Sequence, residues 1–492
     1  MKLAVGLLPR IICLAMGLFV VGAVLASGGA MAAQHTMPDA NDFVMAGELP
    51  GSPQGAIRFT RHAIAVAERR RGPSDPSIAG LLEQLGSLYE ASGLNDEAEL
   101  TYLKALAITE SAFGVKGPAI IPIVDSLGSL YDGRGRHQEA EAQLKRSISV
   151  SEANLPSELG SLVKGLENLA LHYDRQGKCS EAAPLFERAL EIGGTAPEVS
   201  NIRLGGVAHR LALCRVAQGR MAEAEVYFKR AVDAFEKSDD PDSTSEAFLL
   251  RDLAIFYVGE SRYQQAEEAA RRSLALFEAK SGGDQRGVFE TLNTLSAIYD
   301  RQGRYNQEEP LLARTLEIAR QSFNPSDPGL AWANFKLGLV HKAQGHKREA
   351  IVFFNRALEA GNRAQWPDSK WMGMATNQAA IAYAESGQAG SAERLFIAAI
   401  RLGEESLRPY PPFFTTALYN LGVLYAQEGR FGEAEPLLTR SLEVQLSQYG
   451  PNHPAVEGAR KALSRLQSIR QTMKQGSPVK DQSSGLKVQG AR

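Results

Sequence analysis

The chain has 492 residues, and its 54 basic and 56 acidic side chains leave a formal charge of -2 at pH 7. Such a balance removes the strongly basic class that neutralises nucleic-acid phosphates, and gives no general attraction to acidic membrane surfaces. A length of this order implies several globular domains unless the chain is built from repeats, which can extend as one unit.

The amino terminus stands apart from the rest. Lys2 and Arg10 precede an apolar run from Ile11 to Ala26, and Ala30-Met31-Ala32 supplies a small-x-small cleavage site. Residues 1–33 therefore read as a secretory signal peptide cut near Ala33, which places the mature protein in the periplasm or outside the cell. Left uncleaved, the same run is nearly long enough to anchor the chain in a bilayer. Residues 34–53 are polar and irregular, the pattern of a linker. Residues 54–71 continue the small-residue register of the following array through Ala56 and Ala63, and predict a lone helix capping the first repeat.

From about residue 78 to 448 the sequence repeats nine times at an interval of 42 residues. Gly429 recurs as Gly387, Gly345, Gly303, Gly219, Gly177, Gly135 and Gly93, with Ser261 as the one departure. Eight positions before the glycine stands a leucine, from Leu85 to Leu421 with Ala379 as its exception, followed always by a small residue. Four positions after that leucine comes Tyr89, Tyr131, Tyr173, Tyr257, Tyr299, Tyr383 or Tyr425, replaced by Arg215 and His341 in two copies. Leucine, small residue and tyrosine at i, i+1 and i+4 share one helix face, here called helix A. Beyond the glycine a second helix, B, carries a small residue such as Ala98 or Ala434, with Glu308 its exception, and then a bulky one such as Tyr102, Phe186 or Phe354. The glycine suits the end of helix A, and prolines such as Pro76, Pro328 and Pro454 stop helix B before the next repeat. A last helix spans residues 455–473, and the polar, aperiodic stretch 474–492 reads as a disordered tail.

This pattern resembles the tetratricopeptide repeat in its 42-residue, kinesin light chain-like version. The resemblance implies an all-α fold, an α-solenoid in which antiparallel helix pairs wind into a right-handed superhelix. It also implies a non-enzymatic scaffold that binds a protein or peptide in a concave groove lined by helix A. Carried over position by position, the groove would hold Glu83, Asp125, Asn168, Arg175, Arg210, Arg251, Asn293, Arg301, Lys336, Asn377, Tyr419 and Asn420. That row begins acidic, turns mixed to basic, and ends uncharged. In kinesin light chain-like arrays similarly placed asparagines contact bound peptide, and an asparagine amide can pair with a peptide backbone in either sense.

No catalytic, cofactor or metal signature accompanies the array. The histidines lack the i, i+4 pairing around a glutamate used by helical zinc sites, His341 and His346 straddle the turn glycine Gly345, and no nucleophile elbow, phosphate loop or dinucleotide fingerprint occurs. His172 occupies an apolar column and is expected to pack between helices. Cys179 opens a helix B and Cys214 sits late in the next helix A, so antiparallel packing should make them neighbours, and an oxidising compartment would permit a disulfide.

Overall fold

The computed structural model describes residues 52–238, 243–279, 284–364, 369–405, 409–474 and 488. The expected signal peptide, nearly all of the linker and nearly all of the carboxy-terminal tail lie outside the described residues. Among the described residues the regular structure is 20 α-helices and one short 3-10 turn, with no strand. None of these helices is long and apolar enough to cross a membrane.

The chain forms two compact units, residues 1–242 and 243–492. The first holds α1 (Pro53–Arg71), α2 (Ser77–Ala91), α3 (Asn95–Phe113), α4 (Ile121–Gly133), α5 (His137–Ala153), α6 (Leu159–Arg175), α7 (Cys179–Gly193), α8 (Asn201–Ala217) and α9 (Met221–Glu236). The second holds α10 (Ser243–Gly259), α11 (Tyr263–Ala279), α12 (Gln285–Arg301), α13 (Tyr305–Ser322), α14 (Pro328–Ala343), α15 (Lys347–Arg363), α16 (Ser369–Glu385), α17 (Ala389–Glu404), α18 (Pro412–Gln427), α19 (Phe431–Tyr449) and α20 (Pro454–Lys474). From α2 onward even-numbered helices are helix A of a repeat and odd-numbered ones helix B. Within each unit every helix A packs on its own B, and each B packs on the next A. Helix α1 covers the first pair, with Ser52 accepting a hydrogen bond from the Gly55 amide at its start (3.0 Å), and α20 covers the last. Val488 lies against the apolar cluster of the final repeats.

Two contacts explain the repeated residues. Inside a repeat, the small residue after the marker leucine meets the bulky residue of helix B. A Cβ added to Gly128 would stand 2.8 Å from Leu144, and one added to Gly338 only 2.6 Å from the Phe354 ring, so the helices touch at a distance that larger side chains would prevent. Between repeats, a glutamate of helix B receives the tyrosine of the next helix A. Tyr131 donates to Glu99 at 3.1 Å, Tyr173 to Glu141 at 2.9 Å, Tyr299 to Glu267 at 2.7 Å and Tyr425 to Glu393 at 2.7 Å. An arginine five residues past the tyrosine often joins the same carboxylate while lying over the ring. Arg136 bonds Glu99 at 2.6 Å with its guanidinium carbon 4.3 Å from the Tyr131 centroid, and Arg430 bonds Glu393 at 3.1 Å while standing 3.7 Å above Tyr425. The two departures from tyrosine also face a carboxylate of the preceding helix B: Arg215 donates to Glu187, and His341 Nε2 lies 3.9 Å from Glu309.

The turn joining A to B is the same throughout. After α4 the Gly135 amide donates to the Asp132 carbonyl (3.0 Å) and the Arg136 amide to that of Tyr131 (2.9 Å), with Gly135 at φ 72. In the equivalent turn the Ser261 amide donates to the Val258 carbonyl and the Arg262 amide to that of Tyr257, and Ser261 is held at φ 58, where a residue with a Cβ is strained.

Ser261→Gly should therefore raise stability by roughly 0.5–1 kcal/mol, read as a higher denaturant midpoint at unchanged slope. Gly128→Leu should cost roughly 1–3 kcal/mol by forcing α4 from α5. Because each repeat touches only its neighbours, hydrogen exchange should accelerate around residues 95–175 and stay unchanged in α8 and α9.

Candidate functional site

The face that the repeat pattern assigns to a partner is lined by the two residues just before the marker leucine and by those just past the tyrosine position. In the first unit the column two positions before the leucine begins acidic, with His209 as its fourth member. Glu83 is half-buried on α2, and burial pushes its carboxyl up, against the pull of Lys164 and reinforced by the charge of Asp125. Asp125 on α4 is buried, with Lys164 Nζ 3.3 Å from Oδ2, yet neither carboxylate oxygen accepts a hydrogen bond among the described residues. The next member, Glu167, is neutralised by Arg203 at 2.6 Å. One position on, Asn168 is half-buried and Arg210 exposed. Arg175, exposed beyond the tyrosine position, donates to Asp132, and Arg210 reaches Asp174 at 3.9 Å.

In the second unit the expected basic segment is internally compensated. Arg251 donates to Glu290 and to Asp252 (3.2 Å), and Lys336 pairs with Asp300 at 2.9 Å and approaches Glu308 at 3.7 Å. Carboxylates of the same and neighbouring helices thus already engage both cations of this mixed-to-basic stretch. Arg301 is exposed. Asn293 is half-buried on α12 with its Oδ1 enclosed and unpaired, and Asn377 on α16 is 1% exposed with neither Oδ1 nor Nδ2 hydrogen-bonded among the described residues. Tyr419 and Asn420 are buried on α18, Tyr419 as part of the apolar cluster, so this end of the row belongs to the interior.

The tetratricopeptide repeat family profile matches residues 77–153, 204–279, 249–321, 287–363 and 413–471, and a second profile of the same repeat matches 167–239. Together they cover well over half of the sequence. The chain belongs to the tetratricopeptide repeat family. No curated protein matches it in sequence. Among solved structures it is similar to a signal-transduction ATPase with numerous domains and a tetratricopeptide repeat sensor from Pyrococcus horikoshii, at 14% identity and TM-score 0.53, over 79% of this chain and 55% of that one. It is also similar to the apo form of RapI, at 12% identity and TM-score 0.50, over 73% of this chain and 100% of that one. A putative kinesin light chain from Podosopora anserina with nearly identical repeats aligns at 20% identity and TM-score 0.36, over 41% of this chain and 96% of that one.

Measured against the tetratricopeptide repeat pattern, the informative residues are those that depart from it. Glu308 stands in the small column of helix B. It is fully buried, accepts from Ser296 Oγ at 2.8 Å, and leaves Oε2 without a hydrogen bond among the described residues. Burial pushes its carboxyl above the ordinary range, with Lys336 and Ser296 opposing the shift. His172 lies between helices as expected, 1% exposed, but its Nδ1 is 2.6 Å from Asp132 Oδ1 rather than in apolar contact alone. Cys179 and Cys214 are free thiols, and their Sγ atoms and a carboxylate oxygen of Asp174 all lie within 4.8 Å of one another. His341 stacks on Phe353, and its ring is 5.8 Å from that of His346. The glutamates that receive the tyrosines escaped the sequence reading. Their signal was present, since glutamate follows the small residue of helix B in every copy except Ala183 and Ile351.

Glu308 yields a pH test. A carboxyl whose folded pKa exceeds its unfolded one binds more protons when folded, so its contribution to stability is complete below the unfolded pKa and is lost as pH rises through the folded one. The wild type should therefore lose stability relative to Glu308→Gln as pH climbs above about 4.5, the ordinary glutamate value. Paired urea melts from pH 4 to 8 read the difference, and a constant gap between the two proteins would contradict it.

Proposed function

We propose that this tetratricopeptide repeat protein is an exported, non-enzymatic scaffold that holds an extended segment of a partner protein along helix A. The observation that supports this reading is the position of its unsatisfied polar atoms. Asp125, Asn293 and Asn377 occupy one repeat column, and each has enclosed side-chain atoms without a hydrogen bond among the described residues. Leaving such a group unmade costs about 1–3 kcal/mol, which a monomer gains nothing from unless another molecule completes the bond. A peptide main chain supplies both the acceptor and the donor that an asparagine amide lacks. In the first unit, Glu83 and Asp125 face a single lysine, Lys164, so the local surplus is negative and suits a basic side chain of the partner. Nothing in the composition favours nucleic acid as the ligand.

Export rests on the leader-like residues 1–33, with periplasmic or secreted placement. The apolar run Ile11–Ala26 also supports a second reading, a membrane-tethered assembly factor whose leader is retained. The mass of the mature amino terminus separates the two: a start near residue 34 supports export, and an intact Met1 in the membrane fraction supports the tether.

A peptide-display selection against the mature protein, followed by fluorescence anisotropy on the selected peptides, tests the scaffold itself. Asn377→Leu, close to isosteric, should weaken binding about tenfold, or ~1.4 kcal/mol, while leaving the melting temperature unchanged or higher because a buried unpaired amide is gone. A selection without binders, or binders indifferent to both Asn377→Leu and Asn293→Leu, would sink the assignment.

A further inference from the structure

Two groups of potential metal ligands in the first unit occupy the same three repeat positions, one repeat apart. The first is Asp132, His137 and His172, and the second is Asp174, Cys179 and Cys214. Each number of the second set is that of the first plus the repeat length of 42. In both sets the aspartate ends a helix A, the second residue opens the following helix B across the tight turn, and the third comes from helix A of the next repeat. Helix α6 serves both, giving His172 to the first set and Asp174 to the second. In each, all ligand atoms lie within 4.8 Å of one another.

The aspartates are oriented alike. Asp132 Oδ1 faces His172 Nδ1 at 2.6 Å and His137 Nδ1 at 3.5 Å, while Oδ2 accepts from Arg175. Asp174 Oδ1 faces Cys214 Sγ at 3.5 Å and Cys179 Sγ at 3.9 Å, while Oδ2 faces Arg210 at 3.9 Å. One oxygen thus points at the two other ligands and the second is oriented by an arginine from outside, the arrangement expected of a ligating carboxylate. The remaining nitrogen of His172 is also held, with the Gln176 amide 2.7 Å from Nε2. The amide nitrogen that makes this contact also donates to the His172 carbonyl at 3.3 Å, which fixes the ring's place on α6.

We infer that the first unit binds two zinc ions, one at Asp132, His137 and His172 and one at Asp174, Cys179 and Cys214, each clamping neighbouring repeats. Tetrahedral zinc with bonds of about 2.0–2.3 Å places its ligand atoms roughly 3.3–3.8 Å apart, so the observed separations need shifts of only a fraction of an ångström to about 1 Å. Imidazole and thiolate donors select zinc over magnesium or calcium, and three protein ligands leave a fourth position for water. At the second site the two cysteines each give up a proton on binding, which the medium accepts. Both ions cross a helix A to helix A boundary, so their binding stabilises the folded array by mass action.

The test uses the full mature chain under reducing conditions, loaded with zinc chloride, freed of excess ion by gel filtration and assayed for zinc per chain. His137 and Cys179 each open a helix at the surface side of their set, so His137→Ala and Cys179→Ala spare the buried ligands. The wild type should retain two ions, each single variant one, and the double variant none. Zinc should raise the melting temperature of the wild type and not of the double variant. Cobalt substitution should give a thiolate-to-metal absorption band that Cys179→Ala abolishes and His137→Ala keeps. Retention below one ion per wild-type chain overturns the inference, as does retention undiminished in the double variant, which would locate the ions on other surface groups. A Cys179–Cys214 disulfide that forms without reductant and persists through reduction and zinc loading overturns the second site.

Discussion

The closest approach within each repeat sets the terms for everything else in this molecule. Helix A and helix B touch where a residue of one or few carbons meets a bulky ring or leucine, as Gly128 meets Leu144 and Gly338 meets Phe354. That distance fixes the A to B turn, whose glycine takes a left-handed backbone, and so fixes which faces of the two helices remain to meet the next repeat. A packed interior tolerates little volume error, so the small and bulky columns persist across the array.

The contact between repeats is polar where the contact within them is apolar. Glutamates such as Glu99 and Glu267 each gather a tyrosine hydroxyl and an arginine from the next repeat. Burial opposes the charge of Glu267, yet the hydrogen bonds from Tyr299, Arg304 and Arg271 outweigh it and hold the carboxyl below its ordinary range. Directional bonds of this kind define one register between helices whose apolar faces alone would tolerate several. Where the tyrosine is replaced, by Arg215 or His341, the substitute still meets a carboxylate from the previous repeat.

Against this regular frame, departures concentrate the chemistry. Glu308 places a carboxylate where other repeats place alanine, and Ser296, in the facing small column, meets it with a hydroxyl. His172 and Cys214 put coordinating atoms into a column filled elsewhere by apolar residues, and His137 and Cys179 put them at the start of helix B, where other copies carry residues such as Tyr263, Tyr305 and Phe431. Asn293 and Asn377 put amide atoms that have no hydrogen bond among the described residues along helix A. In a repeat protein the shared residues build the interior, so function has to be carried by what differs between copies.

The sequence by itself determined the helix pairs, their order and their turns, because 42-residue periodicity, the leucine and tyrosine of helix A and the turn glycine are local consequences of helix geometry. It also put Cys179 near Cys214, since antiparallel packing constrains which ends meet. Only the tertiary structure decided the state of the side chains on helix A. The candidates Arg251 and Lys336 are tied to Glu290 and Asp300, while Tyr419 and Asn420 are enclosed. Periodicity reports which face a residue occupies, whereas ion pairing and burial depend on residues some 36–39 positions away. Those residues meet only when neighbouring repeats stack, and the same stacking brings His172 to Asp132 and Cys214 to Asp174.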